Sequence, residues 1–343
     1  MKIFKGALVF LFLNFQPAYA DVYVSRIFRI QPFSQKSVSV PAGKYAAFPF
    51  KVTTSGDINV TARVLNQPFN DGSIWVCDAR NFELYRKKQK NECKGANRQR
   101  DIIKFSINVN RPDTYYLIAD NTFSLLETKR YQFSVVAPAI MDSAAREKIL
   151  EVVTTIDKFI SASFIAPKFD IKIVPCGFAN AYSEGSSGNI TFCSELLFEL
   201  VKSRNDGAFY GTLFHELGHS LLNLWGLPNY ANEETVDEIA TYFLLQSGNA
   251  KLLSDYASYF EDKNSQSEAD NIISQGGTHP LSVQRARNVR NNARNPQPFM
   301  DRWNRQIYPH MTNNGLKNIV RNPDIYSSPT LAKTELISRG VSW

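Results

Sequence analysis

From Asp21 to about Ala137 apolar and polar residues alternate in short runs, separated by turn residues. Ser37-Val38-Ser39-Val40, Ile58-Asn59-Val60-Thr61, Ile103 to Ile107, Tyr115 to Ile118 and Tyr131 to Val135 all follow it. A period of two places one side of each run in a core and the other in water, which predicts half-buried strands. Pro41-Ala42-Gly43, Asn70-Asp71-Gly72 and Arg111-Pro112-Asp113 are the turns between them. The pattern predicts a β-sandwich. At Ala137-Pro138 the period lengthens: Ala145, Ile149, Val152, Val153, Ile156 and Ile160 recur at helical spacing. A long amphipathic helix therefore opens a second domain. Pro167 ends that pattern, Phe169 to Pro175 alternates like a strand leading into Cys176, and beyond Cys193 the chain reads as mostly helical to about Trp303. From Pro309 onward the periodicity is weak and no element is assigned. The expected fold is α+β: a sandwich over 21–138, then a mainly helical domain with a small sheet over 139–343.

Composition changes this picture at the N-terminus. Lys2 and Lys5, the apolar stretch Ala7 to Leu13 and the small-x-small site Ala18-Tyr19-Ala20 read as a secretory signal over 1–20. The mature chain is expected to begin at Asp21 and to be exported, periplasmic or secreted. The stretch is too short to remain as a membrane span, so no stable membrane insertion is expected. The remaining length suggests two domains, and 43% apolar residues suit a globular protein. The formal charge of +7 falls when Lys2 and Lys5 leave. The surplus is modest and no base-reading fold accompanies it, which argues against a nucleic-acid partner. The basic run Arg86 to Lys90 reads as a solvated loop. Cys77, Cys93, Cys176 and Cys193 form two sequence-local pairs, most simply two disulfides, although four cysteines permit three connectivities. Their gaps are wider than those of zinc knuckles.

The candidate chemistry lies in Gly211 to Trp225, at His215-Glu216-Leu217-Gly218-His219. Residues four apart share a helix face, so both imidazoles can reach one tetrahedral Zn²⁺. Glu216 then stands beside the metal without ligating it, where it can act as general base. Leu213, Phe214, Leu217, Leu221, Leu222 and Leu224 occupy much of the remaining circumference, which predicts a buried helix. Two of the chain's four histidines stand in this motif. Catalytic zinc takes three protein ligands and keeps one position open. Gly226 and Pro228 end the helix, Asn232 caps the next one, and Glu233, Glu234, Asp237 and Glu238 crowd its first turns. Glu233 as ligand, with Asp237 orienting a ligating histidine, meets the need; Glu234 with Glu238 is the rival register. Acidic residues also favour helix N-termini without ligating anything.

With these residues in view, the second domain resembles a family of bacterial zinc metallopeptidases similar to the gluzincins, within the zincin-like fold. The resemblance rests on Cys176-Gly177-Phe178-Ala179-Asn180-Ala181-Tyr182, Ile190 to Leu196, Thr212 to His219, Leu227-Pro228 and Glu233 to Thr241, and spans about 145 to 300. It implies that Glu233 and Asp237 form the E-x-x-x-D helix bearing the third ligand to one zinc ion. It also implies that Asn180, Ala181 and Tyr182 lie on an edge strand that lays out a peptide or protein substrate. His279 looks similar to a downstream histidine that donates to the oxyanion, with Arg285 as a further donor; His310 has no such counterpart. The connection between His219 and Glu233 is shorter than in thermolysin-like enzymes. The expected activity is zinc-dependent peptide hydrolysis, and the competing expectation is a secreted binding or adhesion protein whose sandwich does the work. Nothing in the sequence fixes an oligomeric state.

Overall fold

The computed structural model describes residues 22–65, 70–100, 102–166, 168–176, 179–263, 282–323 and 327–343. With 45% helix and 30% strand, the fold is α+β. The chain divides into two compact units: one holds the segment up to Val24, Ala144–Ile173 and Ala179–Trp343, the other Ser25–Ser143 and Val174–Phe178.

The second of these units is built from two four-stranded antiparallel sheets. One has the order β2 (Ile27–Val40), β9 (Lys129–Ile140), β4 (Gly56–Val64), β7 (Ile102–Val109); the other β3 (Tyr45–Val52), β8 (Asp113–Asp120), β5 (Gly72–Asp78), β6 (Lys94–Gln99). The alternation read from the sequence is the alternation of burial: Ile58, Val60, Ala62 and Val64 of β4 and Tyr131, Phe133, Val135 and Ala137 of β9 point into one core, with Phe50, Ile74 and Leu117 of the other sheet. Cys77 and Cys93 form a disulfide that brackets a helix, α1 (Ala79–Arg86), and the exposed basic loop from Lys87 to Lys90 that follows it, as the sequence suggested. Asp78 caps α1 by accepting from the backbone N–H of Asn81.

The other unit packs helices beside a small sheet ordered β1 (Val22–Val24), β10 (Ile171–Val174), β12 (Ile190–Cys193), β11 (Ala181–Ser183). Strand β1 pairs in parallel with β10, so residues that precede the sandwich in sequence complete the sheet of the helical unit. A boundary read from sequence order alone, at 21 and 138, had grouped them with the sandwich. The helices are α2 (Ser143–Ser163), α3 (Ser194–Ser203), α4 (Asp206–Leu224), α5 (Glu233–Gln246), α6 (Ala250–Lys263), α7 (Ser282–Arg294), α8 (Pro296–Ile307), α9 (Asn313–Arg321) and α10 (Pro329–Ser338). The unassigned tail thus holds two short helices, capped at Thr312 and begun at Pro329, and Arg339 donates to the carbonyls of Tyr308, Pro309 and Met311.

Helix α4 is nearly enclosed, and its glycines explain how. A Cβ at Gly207 would lie 2.1 Å from the Leu252 carbonyl oxygen, and one at Gly211 would lie 2.1 Å from the Tyr256 ring. A Cβ at Gly218 would come to 3.0 Å from Val236. This glycine face lets α6 and α5 approach α4 closely, which carries their side chains to the motif histidines.

Candidate metal centre

Helix α4 presents His215, Glu216 and His219, with the His215 and Glu216 side chains buried and His219 partly open. The two imidazoles lie one turn apart with ring centroids 4.9 Å from each other. Helix α5 begins where the sequence signals it: the Asn232 side chain accepts from the Thr235 N–H at 2.9 Å, so Glu233 is the first helical residue. That start turns Glu233 toward α4, where its carboxylate oxygens lie 3.1 Å from His215 Nε2 and 3.6 Å from His219 Nε2. One donor atom from each of these three residues lies within 4.8 Å of the others, the single such group among the described residues. Ligands at zinc bond lengths in a tetrahedron stand about 3.3 Å apart, so this set fits a small divalent ion. Glu234 is exposed, and Glu238 accepts from Arg302 at 2.7 Å and from the Trp303 indole at 3.2 Å, so the rival register faces away.

The other ring nitrogens fix how the donors are presented. His215 Nδ1 lies 2.9 Å from Asp237 Oδ1, and His219 Nδ1 lies 2.6 Å from the Tyr230 carbonyl oxygen. Both partners are acceptors only, so each Nδ1 carries a proton and each Nε2 is the nitrogen left to face Glu233. Asp237 is held in turn: Arg285 of α7 donates to it through Nε and Nη2, both at 2.6 Å, and the Tyr256 hydroxyl donates at 3.3 Å. The Arg285 guanidinium also stacks over Phe260, 4.3 Å from the ring centroid. Arg285, expected as a donor to substrate, is instead committed to Asp237.

The electrostatics favour a cation. Burial alone would keep His215 neutral, yet hydrogen bonds to Asp237 and Glu233, and the nearby Glu216, push its pKa up to about 9. Burial and the neighbouring His215 charge together lower the pKa of His219. Burial opposes charge on Asp237 too, but His215 and Arg285 hold its carboxyl below the usual range. The three carboxylates thus stabilise positive charge between them, as a metal site requires.

Beside α4 runs β11, last in the order of its sheet, so its outer edge pairs with no strand among the described residues. Ala181 is buried, Tyr182 is 41% exposed, and the Ser183 hydroxyl lies 2.8 Å from that of Ser220 on α4. The Asn180 carbonyl accepts from the Cys193 N–H at 2.9 Å, continuing the pairing of β11 with β12. Cys176 and Cys193 are both disulfide-bonded and no described cysteine is free. His279 lies outside the described residues, as does the 1–20 signal segment. Three contributors were absent from the sequence reading. Tyr230 acts through its backbone and leaves no side-chain signature, whereas Tyr256 and Arg285 in its present role converge on Asp237 only through tertiary packing.

No curated protein matches the chain. Among solved structures it is similar, over 36% of its length, to 99% of a pre-peptidase C-terminal domain of a collagenase from Bacillus anthracis, at 16% identity and a TM-score of 0.23. It is also similar, over 33% of its length, to 98% of a family 35 carbohydrate-binding module from Clostridium thermocellum, at 9% identity and a TM-score of 0.19. A third likeness, to a family GH115 4-O-methyl-α-glucuronidase, covers 29% of this chain and 14% of that one at 16% identity and a TM-score of 0.21. These scores are too low to carry a fold assignment. The informative match is to a protein family: residues 134–291 fit the one described as "Putative metallopeptidase". That family description implies a metal and a peptide substrate, in keeping with the His215, His219 and Glu233 group. The region from 134 to 291, which matches that metallopeptidase family model, is thus the region that carries this donor set.

Proposed function

We propose that the chain is an exported, zinc-dependent peptidase. The observation that carries this reading is the convergence of two imidazole nitrogens and one carboxylate, drawn from two helices, within 4.8 Å of one another. His215, His219 and Glu233 would hold the ion. Zinc in such a site supplies Lewis acidity, making water nucleophilic near neutral pH and polarising a scissile carbonyl. Glu216, next to His215 on α4, takes the proton from the attacking water and returns it to the leaving amine. Asp237, gripped by Arg285, keeps His215 in the tautomer and orientation that ligation needs. The edge of β11, tied to α4 through Ser183 and Ser220, receives an extended peptide by backbone hydrogen bonds, with Asn180, Ala181 and Tyr182 lining its path. His279 is the candidate donor to the tetrahedral oxyanion. Export is supported by the leader-like residues 1–20 and by the disulfide-bonded cysteines; no helix among the described residues is long and apolar enough to cross a membrane.

The test is cleavage of a peptide library by the zinc-loaded mature chain and its Glu216→Gln variant. The variant should keep its zinc while turnover falls by about 10²–10⁴. Retained turnover would remove Glu216 from the role of base, and a zinc-loaded wild type that cleaves no peptide would overturn the peptidase reading.

A further inference from the structure

The sandwich unit carries an apolar feature that its own fold does not use. Leu125 and Leu126, in the turn between β8 and β9, are 91% and 96% exposed. Isolated exposed apolar residues are ordinary on protein surfaces; two consecutive leucines standing almost fully in water at one tip are not. The loop behind them is braced. Asn121, wholly buried, donates to the carbonyls of Val40 and Glu127. The Ser124 hydroxyl bonds the Glu127 carbonyl, and Gly43 N–H donates to the Ser124 carbonyl. Phe123 beneath the tip lies under the Arg98 guanidinium, 5.0 Å from its ring centroid, and 5.8 Å from Lys129 Nζ. The leucines are thus presented on a preformed support and need little ordering when they bind.

The position of the tip within its unit is equally specific. The register of β2 with β9 pairs Ile27 with Ile140 at one end and Val40 with Lys129 at the other. The chain enters and leaves these strands at the Ile27–Ile140 end, so the leucines lie at the opposite end, roughly 40 Å away at strand rise. That end is also basic. Lys44 precedes β3, Lys87 and Lys88 follow Tyr85, whose ring meets Tyr45 at 5.2 Å, Arg98 stands in β6 with one nitrogen on Asp71 at 3.3 Å, and Arg100 follows β6; all five are exposed. A convex two-residue tip offers too little area for the core of a protein interface. An apolar tip ringed by cations has the chemistry of an interfacial membrane anchor, whose apolar side chains enter the headgroup layer while basic ones meet its phosphates.

We propose that this end of the sandwich docks the protein peripherally onto an anionic membrane surface, through Leu125 and Leu126 with Lys44, Lys87, Lys88, Arg98 and Arg100. The attachment is reversible, with no segment crossing the bilayer, and it is independent of the metal centre. The experiment is flotation of the mature full-length chain with vesicles of phosphatidylcholine alone or mixed with phosphatidylglycerol. Binding should require phosphatidylglycerol and weaken with salt. Leu125→Ser with Leu126→Ser should weaken it about a hundredfold, because each leucine loses its apolar transfer. Lys87→Glu with Lys88→Glu should weaken it at least about tenfold. Both pairs are exposed and should leave thermal unfolding unchanged, and Glu216→Gln should float like the wild type, separating this inference from catalysis. Three outcomes would overturn it: no flotation of the wild type with either vesicle, flotation unaffected by the leucine exchange, or a leucine-dependent dimer that does not bind vesicles.

Discussion

Asp237→Asn is the most informative single change at the metal centre, because it keeps the shape of the side chain while removing its charge and turning one of its two acceptor oxygens into a donor. Asp237 is 5% exposed and accepts two 2.6 Å bonds from an Arg285 that is itself 15% exposed. Breaking a buried ion pair by neutralising one partner leaves the other charge uncompensated, at a cost of about 3–5 kcal/mol. Glu233 and Glu216 remain nearby and Arg285 keeps its stacking on Phe260, so the lower end, about 3 kcal/mol, is expected for the metal-free protein. With a urea dependence of about 2 kcal/mol/M, the unfolding midpoint should fall by about 1.5 M. Tryptophan fluorescence is a suitable reporter, since Trp225, Trp303 and Trp343 lie in the helical unit and only Trp75 in the sandwich. Adding Arg285→Met removes the stranded charge and should restore much of that midpoint. Zinc affinity should not recover. In both variants it should stay about 10–100-fold weaker than wild type, since neither retains the carboxylate that orients His215. If the double variant is no more stable than the single one, the Asp237–Arg285 pairing is not the source of the cost. If zinc affinity is unchanged in either, Asp237 does not orient His215.

Two further changes test the scaffold. Gly211→Ala should destabilise the helical unit even though alanine is the better helix former: the gain of about 1 kcal/mol in propensity is outweighed by about 3 kcal/mol or more of overpacking against the fully buried Tyr256 ring. An unchanged urea midpoint would contradict the close α4–α6 approach. Replacing Cys77 and Cys93 together by alanine should destabilise the sandwich by about 3 kcal/mol, from the entropy of the 16-residue loop the disulfide closes. Hydrogen exchange of the β5 and β6 amides measures it, and undiminished protection would refute it.

Much of this architecture is legible in the residues. The strands of the sandwich declare themselves because one face of each is buried, as Ile58, Val60 and Ala62 illustrate. The histidine pair and Glu216 declare themselves through helical spacing, and Asn232 marks the turn that aims Glu233. What stays hidden is set by partners distant in sequence. Strand β1 is three residues long and finds its neighbour only after the whole sandwich has intervened. Asp237 could be suspected of holding a histidine, but that Arg285 and Tyr256 converge on it depends on how α6 and α7 cross α4 and α5. The glycines of α4 read as breaks in an apolar pattern, while in the fold they are contact surface. The tail helices α9 and α10 are nine and ten residues long, too short for their periodicity to stand out.

The central claim is that His215, His219 and Glu233 together hold one catalytic metal ion. Metal analysis of the purified mature chain, compared with Glu233→Gln and Glu234→Gln, tests it most directly. One zinc ion per chain in the wild type and in Glu234→Gln, with loss of tight binding in Glu233→Gln, is the predicted result. A wild type without bound metal, or a Glu233→Gln variant that retains it as tightly, would contradict the account.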